Sequence, residues 1–206
     1  MCGAPGCGAL FRLRGLRAMR QFVHLAGNLI AQHFQARANY LDLLMSLGIT
    51  AEDWFRIELL VVLRAISGIS IIGTNQQTQR AGDRPDFTIE LSGRSVLLEL
   101  KVLPKDRNYA YGWQRFQAGT NNKKDFDNLV LGVRHGVIYV YWPDLADWQS
   151  CRTNLERTYP VQCLRQDPIA RSTGHVVLSY WAVSRSVAQL SAAGDAASGG
   201  IPGLSL

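Results

Sequence analysis

From Asp86 to Lys101 apolar side chains recur at every second position on either side of Ser92-Gly93, and this run constrains the fold more than any other. A period of two marks strands with one buried face. A Ser-Gly pair between two such runs marks a two-residue hairpin turn. Counting back from the turn sets Leu91 opposite Arg94, Ile89 opposite Val96, Phe87 opposite Leu98 and Asp86 opposite Glu99. One face then carries Phe87, Ile89, Val96, Leu98, Leu100 and Val102, and the other carries Asp86, Glu99 and Lys101. Slipping the register by one residue would set Asp86 across from Leu100 and scatter the apolar set over both faces, which burial strongly disfavours.

Opposed residues of an antiparallel pair have Cβ atoms about 5 Å apart, so Asp86 and Glu99 would repel each other unless a cation lay between them. A divalent ion removes the conflict. Mg²⁺ in particular is held by one or two carboxylates, water and substrate phosphate. Lys101, beside the same ion, could orient an attacking water, lower its pKa or stabilise charge developing on phosphorus, which outlines phosphodiester hydrolysis. The plainer reading is a surface hairpin with an ordinary Glu-Lys pair. Glu58 lies among Trp54, Phe55, Val61 and Val62 at helical spacing, where a carboxylate is unfavourable unless paired or bound to metal. It either completes the metal site or pairs with an arginine such as Arg56 or Arg84.

The rest of the chain places this hairpin in an α/β context. Apolar spacing predicts one or two helices between Arg20 and Leu47, and Thr50 with Asp53 resembles a capping box before a helix reaching about Ile66. Strands are expected at Ile69 to Gly73, Phe87 to Leu91 and Val96 to Leu103, a helix near Lys123 to Leu131, and strands at Gly136 to Trp142 and Val176 to Val183. Residues 1–48 read as a basic N-terminal extension with a disordered start followed by helix. Its acid-free opening suits a transit-like peptide, a basic arm on nucleic acid, or translated sequence ahead of a start at Met19. Residues 49–185 form the domain, and 186–206 read as a flexible Ser/Ala/Gly-rich tail.

A net charge of +6 and a pI near 9.4 favour a polyanionic partner. The longest apolar stretch, Leu59 to Ile72, is broken by Arg64 and Ser67-Gly68, so no membrane span is expected, and no signal peptide is evident. Cys2, Cys7, Cys151 and Cys163 lack Cys-x-x-Cys spacing and read as reduced thiols of a cytoplasmic protein. Tyr109, Tyr111, Trp113 and Phe116 interleave with Arg107 and Arg115, which suits base stacking or a buried aromatic cluster. His135 and His175 have no partner at ligand spacing and read as structural.

Arg84-Pro85-Asp86-Phe87 followed by Leu98-Glu99-Leu100-Lys101 resembles the signature of the PD-(D/E)XK nuclease superfamily. The resemblance spans roughly Thr50 to Trp142 and implies a restriction-endonuclease-like αβββαβ core with a central mixed sheet flanked by helices. It implies a metal-dependent deoxyribonuclease, more an endonuclease than otherwise, in which Asp86, Glu99 and the backbone carbonyl of Leu100 ligate Mg²⁺ or Mn²⁺. Lys101 would assist the attacking water, and Glu58 would be the acidic residue of the first core helix. Substrate contacts would come from Gln114, Gln117, Lys123, Lys124 and Asp125, with Lys105, Arg107 and Arg115 nearby. DNA is implied over RNA, and a homodimer is compatible with the family. Restriction enzyme, junction resolvase, repair nuclease and mobile-element nuclease all stay open. Rival readings are a non-catalytic nucleic-acid-binding module on the same fold and an interaction protein of toxin or immunity type.

Overall fold

A computed structural model describes residues 7–47, 51–74, 85–103, 123–141, 145–172 and 174–185. The elements are α1 (Cys7–Gln35), α2 (Ala38–Leu47), α3 (Ala51–Arg64), β1 (Ile69–Thr74), β2 (Phe87–Leu91), β3 (Arg94–Leu103), α4 (Lys123–Val130), β4 (Gly136–Tyr141), α5 (Leu145–Thr158), β5 (Val161–Arg171) and β6 (Gly174–Val183). The strands form one mixed six-stranded sheet in the order β1-β2-β3-β4-β6-β5. Among the described strands only β3 and β4 run parallel, and α4 lies between them in the chain. The other neighbouring pairs are antiparallel.

Alternation along the strands divides the core in two. Phe87, Ile89, Val96, Leu98, Leu100, Ile138, Val140 and Leu178 pack on one face against α1 and α3. On the other face Val137, Tyr139, Tyr141, Val177 and Trp181 meet Phe126 and Leu129 of α4 and Trp148, Cys151 and Leu155 of α5. Because α3 covers the first face and α4 the second, their N-terminal turns flank the open end of the β2–β3 hairpin.

Of the residues read as an N-terminal extension, the described ones, 7–47, pack against the sheet. Leu16, Met19, Phe22, Ala26, Ile30 and Phe34 are buried at three- and four-residue intervals, while Arg14, Arg17 and Arg20 take the outward side. The buried period therefore runs back through the arginine-rich stretch to Leu16, ahead of Arg20 where apolar spacing alone begins it, the helix itself starts at Cys7, and α1 is structural core. Gly136 permits the closest approach: a Cβ there would lie 2.2 Å from Met19 Sδ. Asp42 ties α2 to the β5–β6 turn, accepting from Arg171 at 2.8 Å and from the Ser172 hydroxyl at 2.7 Å.

Two elements have weak sequence patterns. α5 mixes polar and apolar residues, and β5 contains Pro168, which a central strand would exclude. β5 is an edge strand, so Pro168 faces no ladder on its free side.

Candidate active site

Ser92 and Gly93 both have positive φ, 51° and 71°, as the tight turn between twisted strands requires. The register is the one that the apolar pattern demands: Leu91 pairs with Arg94, Ile89 with Val96 and Phe87 with Leu98. In such a hairpin every second pair exchanges two backbone hydrogen bonds, beginning with the pair beside the turn. The next rung beyond Phe87 and Leu98 would pair Pro85 with Leu100. Proline has no N–H, so the ladder cannot supply a donor to the Leu100 carbonyl. The Leu100 N–H instead donates to Asp86 Oδ2 at 2.8 Å. The Pro-Asp dipeptide thus ends the ladder, anchors a carboxylate against β3 and leaves a carbonyl directed toward the same edge.

The Asp86 side chain is 9% exposed and its other oxygen, Oδ1, accepts from Arg56 Nη2 at 3.0 Å. The same guanidinium reaches Glu52 at 3.2 Å and Asp53 at 2.5 Å. Glu52 and Asp53 occupy the first turn of α3, where the helix dipole favours negative charge. One turn separates Glu52 from Arg56, so both point at Asp86.

Glu99 sits on the α4 side of β3. Its Oε2 accepts from Arg134 Nε at 3.1 Å and its Oε1 lies 3.2 Å from Lys101 Nζ. Arg134 is 2% exposed at the side chain, and its Nη1 also donates to the Val133 carbonyl at 3.2 Å. Each carboxylate of the expected facing pair therefore carries a guanidinium of its own.

Lys101 is surrounded by carboxylates. Burial pulls its pKa down, but Asp125, then Glu99 and Glu52, outweigh burial and leave it above the ordinary lysine value. It is a cation at neutral pH, suited to donate a hydrogen bond or stabilise an anion. Asp125, buried at the start of α4, accepts from the Tyr139 hydroxyl at 2.9 Å. Burial raises its carboxyl above the usual range, with Lys101 opposing. Burial, followed by Asp125, pushes the Tyr139 phenol well up.

Glu58 is not brought to this cluster. It lies about 200° around α3 from Arg56, and it binds His33 Nε2 at 2.6 Å and Arg37 Nε at 2.9 Å. Of the two expectations for Glu58, a place at the metal with Asp86 and Glu99 is not what the structure gives: its apolar surroundings are balanced by a hydrogen bond with His33 at the end of α1 and an ion pair with Arg37, an arginine other than Arg56 or Arg84, in the turn after it. Lys123 pairs with Asp127 at 2.6 Å and Lys124 is exposed. Lys105, Arg107, Gln114, Arg115 and Gln117, with Tyr109, Tyr111, Trp113 and Phe116, lie outside the described residues, as does Thr50. His135 Nδ1 accepts from the Leu97 N–H at 3.0 Å, a structural role, and burial, then Arg134, lowers its pKa. Cys151 and Cys163 are free thiols, each pushed up to about 12 chiefly by burial.

Glu52, Arg56, Arg134 and Tyr139 also belong to the cluster; of these Arg56 alone is named from the sequence, and as a partner for Glu58 rather than for Asp86. A weak signal existed for the first two: Glu52 and Arg56 have the i,i+4 spacing of a helical ion pair. Among the described residues no three His, Cys, Asp or Glu side chains come together as metal ligands. Asp86, Glu99 and the Leu100 carbonyl are nevertheless hard oxygen donors at one sheet edge, which fits a divalent ion that draws its other ligands from water and phosphate. No helix among them is long and apolar enough to cross a membrane. Comparison with protein-family models, with curated proteins and with solved structures gave no match.

Proposed function

We propose that this chain is a metal-dependent nuclease of the restriction-endonuclease-like type that hydrolyses phosphodiester bonds in DNA. The observation that carries the reading is the open end of the β2–β3 hairpin. There Pro85 interrupts the ladder, Asp86 is anchored to Leu100, and Glu99 and Lys101 project side by side from β3. The antiparallel β1-β2-β3 meander after α3, with β4 parallel to β3 beyond α4, has the αβββαβ order that the resemblance implies.

In this reading Asp86, Glu99 and the Leu100 carbonyl hold Mg²⁺ or Mn²⁺, with Glu52 in the place first assigned to Glu58. The bound ion would supply Lewis-acid polarisation of the scissile phosphate and a more acidic water. Lys101, held charged by Asp125 and Glu99, positions the attacking water and stabilises the negative charge of the transition state. Tyr139 fixes Asp125, and Arg134 fixes Glu99. The guanidinium pairs on both carboxylates are also what a binding module without catalysis would show. Cleavage of supercoiled and linear DNA with Mg²⁺, Mn²⁺ or EDTA, beside Lys101→Ala, separates the two. Metal-dependent nicking lost in the variant supports hydrolysis; equal inertness of both proteins on DNA and RNA refutes it.

A further inference from the structure

At Asp86 a guanidinium stands where the nuclease reading puts a divalent ion. Arg56 Nη2 bridges Asp86 Oδ1 and Glu52 Oε1, and Nη1 holds Asp53. The bridge is incomplete: Arg56 Nε is buried with no acceptor among the described residues. An unmet buried N–H is unfavourable, so this seat does not use the full donor set of the guanidinium. A phosphate oxygen pair, which accepts two parallel N–H groups, would use Nε together with Nη.

The charges run in the same sense. Arg56 brings one positive charge to Glu52, Asp53 and Asp86. A divalent cation on Glu52 and Asp86 would bring two, and the released guanidinium matches one phosphate. We propose that Arg56 is a resident cation that competes with the metal for Asp86 and Glu52. Its transfer to a substrate phosphate couples metal binding to DNA binding, an inference that rests on the nuclease reading above. Metal affinity is therefore low for the protein alone and rises with DNA bound, and by linkage DNA affinity rises equally with metal.

The test is calorimetric titration with Mn²⁺ alone, of wild type, Arg56→Ala and Arg56→Lys, each checked for fold by circular dichroism. Titrations with Ca²⁺ plus a short duplex then measure the coupling. Removal of the competitor in Arg56→Ala is expected to tighten Mn²⁺ binding by about tenfold and to shrink the DNA–metal coupling by a similar factor. Arg56→Lys, a point charge without the fork, is expected to fall between, and it carries the test if the alanine variant fails to fold. A purely structural arginine would give variants that bind Mn²⁺ no tighter than wild type, and that result overturns the proposal. If wild type cleaves DNA with Mg²⁺ while the variants show no gain in affinity, only the role of Arg56 falls. If wild type is inert yet the variants gain affinity, the competition stands and hydrolysis falls. If no protein binds Mn²⁺ and none cleaves, both fall.

Discussion

Breaking the Glu99–Arg134 pair from its two ends should be unequal, and the inequality follows from burial. Arg134 is 2% exposed at the side chain and Glu99 15%. Glu99→Ala leaves a guanidinium in the interior without the carboxylate that meets its Nε. Removing one partner of a buried pair costs about 3–5 kcal/mol. Arg134→Met leaves a carboxylate that retains Lys101 at 3.2 Å and some solvent, so a cost of about 1–2 kcal/mol is expected. Replacing both removes the buried charge as well, and the double variant should be at least about 1 kcal/mol more stable than the two single losses predict. Urea unfolding in EDTA at pH 7 reads this through the fluorescence of Trp148 and Trp181, both fully buried. For a chain of this size the Glu99→Ala loss corresponds to roughly 6–20 °C in Tm. Equal single losses, or strict additivity, would show that Arg134 is not an interior cation held by Glu99.

Glu58→Gln should lower stability by about 1–3 kcal/mol through its His33 and Arg37 contacts while leaving Mg²⁺-dependent cleavage near wild type; loss of cleavage at unchanged stability would return Glu58 to the active site. Asp125 has a folded-state pKa raised above 3.8, so its protonated form is favoured by folding and its contribution is lost as pH rises through the raised value. Asp125→Asn, which keeps an acceptor for Tyr139, should therefore be more stable than wild type at pH 7 and show a flatter profile above pH 4 in urea midpoints; a parallel profile contradicts the sign. Pro85→Ala offers the Leu100 carbonyl a ladder donor, and is expected to change stability by less than about 1 kcal/mol but to weaken Mn²⁺ binding several-fold by calorimetry. Ser92→Asn suits the positive φ of 51° better and should raise the urea midpoint by the equivalent of about 0.5 kcal/mol.

The hairpin was legible because its information is local. A period of two, a Ser-Gly turn and a proline before the aspartate bring Asp86, Leu100, Glu99 and Lys101 to one strand end whatever the rest of the chain does. Helical spacing likewise marked α3, and the extension of α1 toward Cys7 could have been read from Leu13, Leu16 and Met19 had the arginines between them been recognised as an outward face. What no pattern carried is the identity of the partners. Arg56 meets Asp86 across 30 residues and Arg134 meets Glu99 across 35. Glu52 rather than Glu58 faces the hairpin because α3 docks with one angular phase and not another. Apolar periodicity sets which side of a helix is buried, but the rotation that brings a chosen charge over a chosen strand is decided only when both helices and the sheet pack together, since a change of one residue in phase turns a side chain by about 100°.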